Sequence, residues 1–309
     1  MTLTLTLGLM MAGCGTDSQP SEEGVLVIAT TSIIADIATN VVGDDGVVEF
    51  LIPLGTDSHD FSPSAQQAAR LAEADLVVAN GLGLEESMMH VLESAEADGA
   101  AIVELASLVN PIPFAGPEHE GADHEEEPEG DDHGPDDPHF WMDPVRVGSA
   151  AIALADSLDA AYPDEGWMSR AEAYAREMEA TDAAIREMVG DLPEQSRKIV
   201  TNHEAFGYFA HRYGFEVAGV VIPGGSTLAE PSSAELAGLV DVMRQEGVRV
   251  IFGETSHPTN LADAVAAELG EDVEVIQLFT ESLGPSGSEA ETLSEMLLVN
   301  AERIVAALG

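Results

Sequence analysis

VLVIATTSIIADIATNVVGDDGVVEFLI, residues 25–52, is the stretch on which the fold turns. It sets an apolar, β-branched run, Val25–Thr30, ahead of an amphipathic stretch, Ile33–Val42, and follows them with a second apolar run, Val47–Ile52. Short apolar strands alternating with helix-period segments are the pattern of parallel sheets covered by helices. Further strands are expected at Leu76–Ala79 and Ala101–Glu104, then at Lys198–Thr201, Glu216–Ile222, Val250–Gly253 and Val273–Leu278. Helices are expected between and around them, at Ala65–Ala72, Glu86–Ala95, Val145–Ala161, Phe206–Tyr213, Ser232–Glu246, Asn260–Leu269 and Glu289–Ala307. The two groups of strands imply an α/β protein of two lobes, residues 25–163 and 192–309, each a parallel-type sheet covered by helices.

Between the lobes, residues 164–191 are rich in alanine, with Glu, Arg and Met at helical spacing and Pro163 just ahead. Read as one helix, Asp164–Val189 would be about 39 Å long at 1.5 Å per residue, a rigid connector from lobe to lobe. The alternative is two surface helices broken near Gly166.

The chain of 309 residues carries 57 Asp and Glu against 11 Lys and Arg, with Lys198 its single lysine. Nucleic acids are held by clustered basic side chains, so a field of this sign excludes them as partners. It attracts cations, but acidity alone identifies none of them. One segment, residues 117–138, is acidic and broken by glycine and proline, with His119, His124 and His133 scattered through it. It has no core-forming pattern and is expected to be a mobile loop that helps capture metal.

The sole cysteine, Cys14, rules out an intramolecular disulfide. Ahead of it, Leu3–Ala12 is apolar but too short to span a bilayer of about 30 Å. Met11-Ala12-Gly13-Cys14 resembles a bacterial lipobox, in which the cysteine is lipidated and becomes the mature N-terminus. Residues 1–14 are therefore expected to be a signal segment and 15–24 a polar tether, with the protein lipid-anchored at the outer face of the cytoplasmic membrane.

Several potential ligands lie just beyond the carboxyl ends of the expected strands: His59 after Ile52, His203 after Thr201, Glu254 after Gly253 and Glu281 after Leu278. Ligands of open α/β sheets bind at that edge, and His139, leaving the acidic segment, can join from the first lobe. Three imidazoles and a carboxylate make a tetrahedral N3O set suited to a transition metal. Glu254, Asp60 and Asp143 are candidates to orient an imidazole through its second nitrogen. His257 is a weaker competing ligand, while His90 and His211 fall within expected helices as packing or surface residues. His203-Glu204 lacks the histidine four positions on that a zinc hydrolase helix requires, Gly207 standing there. Neither a glycine-rich phosphate loop nor a convincing Ser/His/Asp arrangement is present.

Four motifs carry a resemblance from about Val25 to the C-terminus: PLGTDSHDF (53–61), DPHFWMDP (137–144), NHEAFGYF (202–209) and TESLG (280–284). In this order they resemble the zinc and manganese solute-binding family of ABC importers. The resemblance implies two lobes joined by a rigid helix with metal clamped between them, and no enzymatic activity. It maps the ligands to His59, His139 and His203, with Glu281 where relatives usually carry aspartate. Relatives that favour manganese tend to have Glu at the third position, so His203 and the histidine-bearing loop point to zinc. The implied partners are the permease and ATPase of the importer, with the receptor itself a monomer. Manganese or iron capture, or a role in adhesion, are the alternatives the same resemblance allows.

Overall fold

The structure is a computed structural model that describes residues 24–114, 136–163, 165–270 and 272–309. Cys14, His119, His124 and His133 lie outside the described residues. The first sheet comprises β1 (Val25–Ala29), β2 (Gly46–Phe50), β3 (Leu76–Ala79) and β4 (Ile102–Glu104), in the order β2-β1-β3-β4 with every pairing parallel. The second repeats that order with β5 (Lys198–Thr201), β6 (Glu216–Val220), β7 (Val250–Glu254) and β8 (Glu274–Leu278), as β6-β5-β7-β8.

Alternation along the strands decides what each sheet face packs against. Ile28, Val77 and Ala79 point to one side, meeting Leu71 of α2 (Ala65–Leu71) and Leu92 of α3 (Met89–Ala97). Val27, Ala29, Leu76 and Val78 point to the other, under α1 (Ser32–Val42) and α4 (Pro144–Ala161). In the second sheet Val200 and Ile251 face α7 (Ser233–Glu246) and α8 (Asn260–Leu269), whereas Ile199, Phe252 and Leu278 face α6 (Gly207–Tyr213) and α9 (Leu293–Leu308).

The connecting segment forms one helix, α5 (Glu165–Gly190), without a break at Gly166. Its buried stripe of Trp167, Ala171, Tyr174, Met178, Ile185 and Val189 belongs to a single apolar cluster that also contains the inner faces of both sheets. Each such large side chain contributes about 1.5–3 kcal/mol of burial. The lobes thus share a continuous core along α5 in place of a flexible hinge. At the crossing of α4 and α5, Gly148 permits close approach, since a methyl there would lie 3.1 Å from Cα of Ala175.

Element boundaries depart from expectation where local chemistry is specific. Residues 86–88 form one 3-10 turn before α3 begins. The last helix starts at Leu293, four residues later than expected, because Thr292 and Glu295 form a reciprocal capping box there. The end of the acidic segment is not loose either: Asp137 is buried, and its N–H donates to the Ile112 carbonyl at 2.8 Å.

Candidate metal centre

His59 sits in the loop after β2, its N–H donating to Asp57 Oδ1 at 2.9 Å and its carbonyl accepting from the Ser87 N–H. His139 enters from the loop that returns to α4, and its N–H donates to Asp137 Oδ1, also at 2.9 Å. The carbonyls of that loop are held on both sides. Asn80 Nδ2 donates to Pro138, and the Tyr208 hydroxyl, from the second lobe, donates to Asp137 at 2.9 Å. His203 follows β5, and Glu281 follows β8.

The four side chains are buried and converge, with one donor atom from each lying within 4.8 Å of the others. His139 Nε2 and His203 Nε2 are 3.1 Å apart, and Glu281 Oε1 lies 3.4 and 3.5 Å from them. Zinc bonds of about 2.0–2.1 Å in a tetrahedron place donors about 3.3 Å apart, so three of the four are already at metal-binding spacing.

Protonation follows from the outer partners. His139 Nδ1 faces Asp137 Oδ1 at 2.8 Å, and His203 Nδ1 faces Glu254 Oε1 at 2.5 Å. An ionised carboxylate only accepts, so both Nδ1 atoms carry hydrogen and both Nε2 atoms are turned inward. Two inward lone pairs and the Glu281 oxygen form a repulsive set that needs a cation or protons at its centre. Burial opposes charge on His139, but Asp137 and Glu281 outweigh it and raise its pKa. Burial likewise opposes charge on His203, whose pKa Glu254 and Glu281 raise further still. Glu281 would be driven neutral by burial alone, yet the imidazoles hold its pKa well below the ordinary carboxylate range. His59 differs: burial, reinforced by the neighbouring imidazoles, lowers its pKa to about 3, leaving it in the neutral form that binds metal.

Of the three candidate orienting carboxylates, only Glu254 stands against an imidazole, and its other oxygen accepts from Thr280 Oγ1 at 2.7 Å. Asp60 is exposed, at the rim of a surface cavity of about 640 Å³ lined also by His257. Asp143 caps α4 by accepting from the Val145 N–H and pairs with Arg146 and Arg212. Neither Asp60, next to His59 in sequence, nor Asp143, four residues after His139, is bonded to an imidazole among the described residues. His257 is outside the donor cluster and bonds Asp57 Oδ2 across the cleft at 3.3 Å. His90 and His211 are exposed.

Sequence reasoning missed Asp137 and Ser58. The signal was present: Asp57-Ser58-His59 and Asp137-Pro138-His139 share an Asp-x-His spacing, and in both the aspartate accepts the histidine N–H at 2.9 Å.

Two like sheets clamping a buried N3O cluster between their carboxyl edges define a metal-capturing solute-binding receptor. The family described as zinc-uptake complex component A, periplasmic (ZnuA), matches residues 27–307, and the chain belongs to it. Members are binding components of ABC importers, working with a permease and an ATPase, and not enzymes. The chain is 28% identical over 310 residues to the manganese-binding lipoprotein MntA of Halalkalibacterium halodurans, covering 99% of this chain and 96% of that one. It is 31% identical over 316 residues to the zinc-binding protein TroA of Treponema pallidum, covering 99% and 96%. The solved structure of periplasmic TroA matches with a TM-score of 0.79 at 30% identity, over 93% of this chain and 99% of that chain. No helix among the described residues is long and apolar enough to cross a membrane.

Proposed function

We propose that this receptor captures zinc, with His59, His139 and His203 as nitrogen ligands and Glu281 as the single oxygen ligand. The observation that carries the reading is the spacing of 3.1–3.5 Å among three inward donors, close to the edge of a zinc tetrahedron. Imidazole nitrogens suit zinc, which also lies above manganese in intrinsic affinity, while manganese favours more oxygen and a higher coordination number. Residues 25–163 and 192–309 act as the two clamping lobes and 164–191 as their connector. The chain works as a monomer. Lipidation of Cys14 holds it at the outer face of the cytoplasmic membrane, so Cys14→Ser should release it from the membrane fraction. The histidines of the acidic segment, His119, His124 and His133, assist capture; deleting residues 116–134 should leave the tight site within tenfold of its original affinity.

The deciding experiment is titration of metal-free protein with zinc and with manganese at pH 7.5, together with metal analysis of protein purified without chelator. Zinc should bind at least tenfold tighter, about 1.4 kcal/mol, and His203→Glu should narrow the gap. Equal or tighter manganese binding would refute the zinc assignment while leaving metal capture intact. The kinship with a manganese-binding lipoprotein makes manganese the second reading, and the longer arm of Glu281 gives it a route, since a glutamate can chelate through both oxygens.

A further inference from the structure

We propose that Ser58 is the residue that sets metal preference, by holding Glu281 to one inward oxygen. This rests on the four-ligand reading above. Ser58 is buried, and its hydroxyl donates to Glu281 Oε2, leaving Oε1 as the atom that faces His139 and His203. The bond joins residues 223 positions apart, one from each lobe.

Neither partner is free to drift. Ser58 lies between Asp57 and His59, which are tied to one another by the 2.9 Å bond from the His59 N–H. The residues on both sides of Glu281 are pinned to the first lobe. The Thr280 carbonyl accepts from Trp141 Nε1 at 2.9 Å, Ser282 Oγ accepts from the Gly55 N–H at 2.9 Å, and the Leu283 N–H donates to Ser32 Oγ at 3.0 Å. With its backbone held, the freedom left to Glu281 lies in its side-chain torsions, and the bond from Ser58 restrains the one that turns its carboxylate.

Two-oxygen chelation would require Oε2 to swing inward, stripping the buried serine hydroxyl of its acceptor. The bond therefore favours a four-coordinate N3O centre over the five- or six-coordinate, oxygen-richer one that manganese prefers. Without the serine hydroxyl, the extra methylene of Glu281 becomes the means of chelation.

The test compares wild type with Ser58→Ala and Ser58→Thr, the latter retaining the hydroxyl. Zinc and manganese affinities are measured for each, and cobalt(II) serves as a spectroscopic probe, because four-coordinate cobalt absorbs strongly in the visible and higher-coordinate cobalt weakly. We expect Ser58→Ala to lower the zinc-to-manganese affinity ratio at least tenfold and to weaken the cobalt bands severalfold. Ser58→Thr should restore both, and Ser58→Ala should lower the melting temperature of the metal-free protein by about 2–5 °C, the loss of one buried hydrogen bond to a carboxylate. Strong cobalt bands and an unchanged ratio in Ser58→Ala would overturn the role while leaving the four-ligand centre standing. Weak bands in the wild type would overturn that centre and the role together. Equal loss of both metals in both variants would also overturn it, marking Ser58 as a packing residue only.

Discussion

In the first lobe the imidazole of His139 takes its acceptor from Asp137, two residues back along one loop. In the second, His203 takes its acceptor from Glu254 at the end of the neighbouring strand β7. The same Asp137 oxygen also receives the His139 main-chain N–H, so one atom shapes the loop and orients the ring. Glu254 divides its labour otherwise, one oxygen to His203 and the other to Thr280, just before Glu281. Two sheets of one topology thus arrive at similar imidazole geometry, once through a local turn and once through the sheet. A ligand's orientation is therefore coupled to local folding in the first lobe and to strand packing in the second.

The largest expected effect tests whether the lobes contribute jointly. Zinc at about a thousand times its Kd should stabilise the protein by about 4.1 kcal/mol, raising Tm by roughly 6 °C in a single transition that chelator reverses. His59→Ala from one lobe and His203→Ala from the other should each abolish most of that rise, as followed by calorimetry. Retention of the full rise in either variant would mean that one lobe binds metal alone.

A smaller effect should separate the orienting carboxylates. Asp137→Ala and Glu254→Ala should each weaken zinc binding about 10- to 100-fold. Asp137→Ala should in addition lower the melting temperature of the metal-free protein more than Glu254→Ala does, because it also removes the acceptor for a buried main-chain N–H. The reverse order of melting temperatures would break the distinction between a locally and a remotely supported ring.

The smallest effect concerns how each lobe meets α5. Among the contacts of the second lobe is a neutral pair, Thr181 Oγ1 and Ser294 Oγ at 2.7 Å, beside the charged pair of Arg212 with Asp182, and among those of the first is the Tyr174 hydroxyl donating to Asp36 Oδ2 at 2.6 Å. Burial raises the pKa of Asp36 despite that hydrogen bond. A raised value in the folded state means a contribution present below the unfolded pKa and lost as pH rises through the folded one. Asp36→Asn keeps an acceptor for Tyr174 without the charge. It should raise Tm slightly at pH 7.5, with the gain vanishing towards pH 4, whereas Thr181→Val should show no such pH dependence. A gain as large at pH 4 as at pH 7.5 would rule out the charge as its origin.

The convergence of the four donor groups was legible because strand ends can be read from apolar runs, and His59, His203 and Glu281 each stand in the connection that follows one. Glu254 was legible for the same reason. Asp137 was hidden by its surroundings, an acidic segment in which one carboxylate looks like the next. Ser58 was hidden by its plainness between two stronger residues. Asp60 misled because a neighbour in sequence need not share a direction in space, and Asp143-Pro144 is better read as a helix N-cap followed by proline at the first helical position. The sheets were legible nearly to the residue. The merging of both inner cores along α5 was not, since periodicity shows that a face is buried but not against what.

That merged core also bears on time. Lobes that swing freely on a linker can exchange their cargo with each opening, at little energetic loss. Here a wide opening would have to disturb the apolar cluster that α5 shares with both sheets, Trp167, Tyr174 and Met178 included, so large swings of the lobes are costly. The dwell time of an ion then becomes a property of the lobe-to-lobe contacts around the site, Asp57 with His257 towards the surface and Ser58 with Glu281 within it. A membrane partner that prised those contacts apart would shorten that dwell time.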